Sequence, residues 1–149
     1  MFSFIVSFKR SDKCYKLAQK EWKEFANLKQ KRFGAAGIVF EDHFHIFGGN
    51  NGGPYGIRST VIFRANGVVI DGPNMPTELY AHAITNFNQS SSIISGGFNA
   101  SLAAISKTWF YNHKTKEFSE GPALLQPRNY HASATLVDKN GTYIRTLRP

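Results

Sequence analysis

His45-Ile46-Phe47-Gly48-Gly49 is a short apolar run closed by a glycine pair. Ile93-Ile94-Ser95-Gly96-Gly97 repeats it, with the step from Gly48 to Gly96 equal to 48 residues. A doublet that recurs once proves little, so the period has to be carried by other columns. Trp22, Val69 and Phe118 each open a run after a turn, in steps of 47 and 49. Tyr15, Ile62 and Tyr111 precede them, and Leu28, Met75 and Leu124 follow. Arg32, Leu79 and Arg128 come next, then Ala35, His82 and His131, all with the same two steps. The extra residue between the second and third copies is placed in the Asn86–Ser92 loop. Self-similarity at a period of this size marks a repeat architecture.

Within one period the chain reads as four short strands. His82 to Phe87 is the first, Ser92 to Ser95 the second and Thr108 to Tyr111 the third. A turn over Asn112 to Lys116 leads to the fourth, Glu117 to Ser119, and Gly121-Pro122 ends it. Each run is bounded by Gly, Pro, Asn or Ser, as strands are. Thirteen Phe, six Tyr and thirteen Gly suit an all-β chain, because aromatic rings fit pleated surfaces and glycine makes tight turns. One segment competes. Lys16-Leu17-Ala18-Gln19-Lys20-Glu21-Trp22-Lys23-Glu24-Phe25 is rich in helix formers, and a helical period would gather Leu17, Trp22 and Phe25 on one face. Because Tyr15, Trp22 and Leu28 keep step with the other copies, strands are expected here too.

The repeat resembles the kelch motif. His45-Ile46-Phe47-Gly48-Gly49 is similar to its strand ending in a diglycine. Thr108-Trp109-Phe110-Tyr111-Asn112 followed by Phe118 resembles its tyrosine, turn and later tryptophan, and Trp22 after Tyr15 is similar to that pair directly. Gln126-Pro127-Arg128-Asn129-Tyr130-His131-Ala132 resembles the entry to a following repeat. The chain departs from the motif at Val69, Leu79 and Ala35. The resemblance implies an all-β fold: an incomplete kelch-type β-propeller of about three four-stranded antiparallel blades. The expected division is a partial first blade over 1–31 holding its last two strands, a second blade over 32–78, a third over 79–127, and the start of a further blade over 128–149. A ring closes with about four to eight blades, so the reading implies a piece of a larger propeller with open edges that can self-associate.

The motif's chemistry is legible in its residue types. Gly48, Gly49, Gly96 and Gly97 permit positive φ and close backbone approach. Tyr15, Trp22, Tyr111 and Phe118 supply broad apolar faces between sheets. Arg at the entry can reach carbonyls of a neighbouring loop.

By resemblance, the function is protein interaction. The expected contact face is formed by loops after the glycine pairs, with Asn50, Asn51, Tyr55, Arg58 and Asn99, and by loops between blades, with Tyr80, Arg128 and Tyr130. A structural role competes at Arg128, a core role at Tyr130, and simple exposure at Tyr55 and Arg58. No enzyme activity, cofactor or metal is expected. Some kelch-like propellers are copper radical oxidases, and a remnant of one is the alternative. Yet His43 and His45 sit at strand spacing, His82 and His131 at equivalent repeat positions, and no convergent ligand spacing is seen with His113. Gly-x-Ser-x-Gly and phosphate-loop motifs are missing.

Eighteen Lys and Arg against ten Asp and Glu give a net charge of +8. Much of the excess lies between Lys9 and Arg32, including Lys29 and Lys31. A basic binder of nucleic acid or another anionic partner is therefore a further alternative, although no nucleic-acid-binding motif accompanies the charge. The apolar start Phe2-Ser3-Phe4-Ile5-Val6-Ser7-Phe8 reads as a strand rather than a secretion signal, and no stretch is long enough for a membrane span. The single cysteine, Cys14, favours a reducing, cytoplasmic setting, with half of a disulfide in a longer secreted parent left open. Asn88-Gln89-Ser90, Asn99-Ala100-Ser101 and Asn140-Gly141-Thr142 have the form of glycosylation triplets.

Overall fold

A computed structural model of the protein describes residues 4–5, 10–137 and 143–144. It is all-β. The first sheet joins β1 (Phe4–Ile5), β2 (Ser11–Ala18) and β3 (Glu21–Arg32). The second takes β4 (Ala36–Phe40), β5 (His43–Phe47), β6 (Thr60–Arg64) and β7 (Val69–Asp71) in chain order. The third does the same with β8 (Ala83–Asn86), β9 (Ser91–Ser95), β10 (Thr108–Asn112) and β11 (Phe118–Gly121). A last pair joins β12 (Leu136–Val137) to β13 (Tyr143–Ile144). Every pairing is antiparallel between sequence neighbours.

The helix-forming segment is a hairpin. Ala18 pairs with Glu21, and Gln19 and Lys20 between them both hold positive φ, 51° and 67°. Two such residues form a two-residue turn whose twist matches that of the strands it joins. Cys14 and Leu28 then bury themselves against the second sheet, a gain that outweighs local helix propensity. The first sheet holds three strands where two were expected, and β3 runs through Arg32. Of the apolar start, the described residues include only β1. Asn140-Gly141-Thr142 and 145–149 lie outside the described residues.

Successive sheets pack face to face. Cys14 and Leu28 of the first meet Phe44, Ile46, Val61 and Phe63 of the second. Phe47, Met75 and Leu79 meet Ile94, Trp109 and Tyr111 of the third. Ile46, Val61 and Phe63 recur as Ile94, Trp109 and Tyr111, each a step of 48 later and each facing the preceding sheet. β5 is covered on both faces, which is why Phe44 to Phe47 are all buried rather than alternating.

Register corrects one sequence column. Phe118 pairs with Tyr111, Val69 with Phe63, and Trp22 with Leu17. The residue equivalent to Tyr111 in the second sheet is therefore Phe63, not Ile62. A column counted at fixed distance from Trp22, Val69 and Phe118 assumes equal hairpin lengths, whereas cross-strand hydrogen bonding sets the true match. The extra residue expected between β8 and β9 is there: Ala83 pairs with Ser95, but Ala36 with Phe47. Trp22, expected to wedge two sheets together, is 46% exposed.

The glycine pairs tie each sheet to the segment leading into the next. Gly49 N–H donates to Leu79 O at 2.9 Å and Gly97 N–H to Arg128 O at 2.8 Å. Gly48 and Gly96 hold φ of 56° and 59°, and a Cβ on either would lie 2.5 or 2.4 Å from that same carbonyl. Thr60 and Thr108 each donate a hydroxyl proton at 2.7 Å to the carbonyl of Pro73 or Pro122, where the fourth strand ends.

Gly96→Ala must adopt a left-handed backbone and push against Arg128 O. It is expected to lower unfolding free energy by about 2 kcal/mol or more, read from the urea midpoint, while Gly67→Ala, whose added Cβ meets nothing within 4 Å, costs less.

Candidate functional site

In a meander, alternate turns fall at opposite ends. The loops after β5, β7, β9 and β11 share one end, and Asn50, Asn51, Tyr55, Arg58, Tyr80, Asn99, Arg128 and Tyr130 all lie in them. What the fold brings together there is a string of aromatic rings. Phe33 meets Tyr80 edge-on at 6.1 Å, Tyr80 stacks on Phe98 at 5.0 Å, and Phe98 meets Tyr130 edge-on at 5.9 Å. Tyr130 is 55% exposed. An exposed aromatic ring can meet an incoming apolar or cationic group.

Backbone geometry positions the string. Gly34, Ala81 and Tyr130, at steps of 47 and 49, hold φ of 60°, 54° and 49°. Ala81 N–H donates to Gly34 O at 2.7 Å, and Tyr130 N–H to Ala81 O at 2.9 Å. Two non-glycine residues in this region carry strain, which persists only where surrounding contacts hold it. Tyr80 also exchanges backbone hydrogen bonds with Phe98, as Phe33 does with Asn50. Phe33 and Phe98 were not singled out in the sequence. The available signal was that Phe33 stands a step of 47 before Tyr80 and that Phe98 directly follows Gly96-Gly97.

Asn50, Asn51, Arg58 and Asn99 hold the loops in shape. Asn50 is buried; its amide donates to Gly53 O at 3.2 Å and its Oδ1 accepts from Gly52 N–H at 2.7 Å. Asn51 accepts from Gly53 N–H through Oδ1, and from Arg10 Nη1 through its carbonyl. Arg58 Nε donates to Met75 O at 2.7 Å. Asn99 Oδ1 accepts from Ser101 and Ala103 N–H, and Asn88 serves Ser90 in the same way. Tyr55 is exposed. The Arg column behaves as its chemistry implies at Arg32, whose Nη1 donates to Gly48 O at 2.8 Å and to Ser59 O at 3.2 Å. Arg128 Nε is buried and meets no acceptor among the described residues. Beside the string, Pro76, Thr77, Asn99, Ile105, Trp109 and Pro127 line an open groove of about 630 Å³.

His45, His82 and His113 are buried, and His43 and His131 are partly buried. His82 and His131 stand against Gly48 and Gly96, with Cε1 3.1 and 2.8 Å from where a Cβ would lie. His131 Nε2 meets Ser95 Oγ at 3.0 Å. The residue equivalent to Ser95 one step earlier is Phe47, so His82 has no hydroxyl to meet and both its ring nitrogens lack a partner. Burial pushes His82 and His113 down to about 4 and His45 to about 3, and lowers His131 as well. Cys14 is buried and free, and burial pushes its thiol up to about 11, an inert thiol rather than a nucleophile. Among the described residues no group of three or more His, Cys, Asp or Glu is placed to hold a metal ion, and no helix is long and apolar enough to cross a membrane. Lys13–Glu24 and Lys29–Asp71 form exposed ion pairs at 2.7 Å, which add little stability.

No protein-family model matches the chain, and no curated protein matches it.

Because these imidazoles are neutral in the fold, the unfolded chain binds more protons below its histidine pKa of about 6.5. Stability is expected to be full above that pH and to fall as pH drops from there towards 4. His82→Phe should flatten part of the slope. Urea midpoints measured from pH 7.5 to 4 check both.

Proposed function

We propose that this chain is part of a kelch-type β-propeller that binds a protein partner through its loop end, with Tyr80, Phe98 and Tyr130 as anchors. The observation that carries the reading is the half-open aromatic string, held by backbone bonds that repeat from sheet to sheet. Aromatic residues on a rigid support concentrate binding energy because they cover much area at low entropic cost. The repeated packing of one four-stranded sheet on the next supports the propeller assignment. On this reading the blades span 32–78 and 79–127, and the chain recognises without catalysing.

A photo-crosslinking residue at position 130 tests the reading against the same residue at Lys114, which lies at the opposite end. A discrete adduct in cells from position 130, absent from position 114 and lost on Tyr80→Ala, is expected. Equal labelling from both ends would reject the reading. Retention of the adduct at moderate salt separates protein recognition from a basic surface holding anionic partners, whose affinity falls steeply with salt.

A further inference from the structure

At the end opposite the loops, the β4–β5 and β10–β11 turns enclose a cavity of about 170 Å³ between the second and third sheets. Its wall is aromatic and imidazole, with Ile62 and Ile70 beside them. Phe40 stacks on His113 at 4.0 Å with the rings 5° from parallel, and His45 meets His113 edge-on at 5.1 Å. Its rim carries Arg64, Lys114 and Lys116, against the carboxylates of Glu41 in the lining and Asp42 beside it. His43 also lines it, and its Nδ1 is held 2.7 Å from Asp42.

His45 is buried, and burial is the first cause that holds its pKa down to about 3, so its ring is neutral. The charge of the site therefore sits on the rim cations, above a neutral wall. Glu41 and Lys116, one in each turn, hold φ of 53° and 61°, the left-handed backbone that tight hairpin turns use. The space equals that of about five or six waters, enough for one phosphate group and a small ring.

We infer that this cavity is a binding site for a small oxyanion of the phosphate class carrying a planar apolar group. Arg64, Lys114 and Lys116 meet its charge, and Phe40 with the His45–His113 pair packs its body. Arg64 offers the planar fork that suits phosphate oxygens, and the two lysines add mobile charges. The site is independent of the loop end and of any partner there.

The test is NMR titration of the histidine ring signals of the full chain at pH 7, with inorganic phosphate, phenyl phosphate and, as an ionic-strength control, sodium chloride. Saturable shifts confined to His43, His45 and His113, with His82 and His131 unmoved, are expected for both phosphates. Phenyl phosphate should bind at least about tenfold more tightly, the equivalent of one well-buried apolar contact. Arg64→Gln combined with Lys116→Asn should weaken both at least tenfold without moving the thermal midpoint. Lys114→Gln, a change at an exposed turn, gives a second reading if the pair fails to fold. Shifts that chloride reproduces, that spread to His82, or that survive loss of the cations would overturn the site. Equal affinity for the two phosphates would overturn the apolar part of the assignment.

Discussion

Close approach of backbone to backbone at Gly48-Gly49 and Gly96-Gly97 is the constraint on which the other features rest. At each pair a strand ends, and an N–H reaches the carbonyl of Leu79 or Arg128 in the segment entering the next sheet. There is no room for a Cβ at that contact. Meeting that carbonyl at hydrogen-bond distance fixes where the next sheet starts and therefore which of its residues face the previous one. Ile94, Trp109 and Tyr111 take the positions of Ile46, Val61 and Phe63, a step of 48 later, although their side chains differ.

The same tie generates the loop end. Anchoring the entry segment places Gly34, Ala81 and Tyr130 in a common left-handed conformation, and the bonds from Tyr130 to Ala81 and from Ala81 to Gly34 line the segments up. Rings just before or at these positions then fall into one string. Polar residues nearby, Asn50, Asn51 and Asn99, accept backbone N–H bonds through Oδ1 and hold the loops. Rigid loops and half-open rings are complementary, since a surface that does not reorganise loses little entropy on binding.

Buried imidazoles show how one repeat position acquires different chemistry. His131 meets Ser95, whereas the residue equivalent to Ser95 one step earlier is Phe47, and His82 is left without a partner. In the second inter-sheet layer, His45 and His113 close a small space under a cationic rim. Both ends of the sheets thus carry chemistry, aromatic at one and electropositive at the other.

Residue types along the chain by themselves determined the all-β class, the four-strand pattern of the clearest period and the glycine pairs, because turn residues and alternating burial act over a few positions. They also placed Tyr80 and Tyr130 among candidate contacts. Tertiary structure alone decided the pairing of Phe63, rather than Ile62, with the Tyr111 position, since register comes from hydrogen bonds across hairpins of unequal length. It alone turned Lys16–Phe25 into a hairpin, left Trp22 exposed and drew Phe33 and Phe98 into the aromatic string. Each of these outcomes depends on contacts between residues far apart in the chain, whose energy no local window of sequence contains.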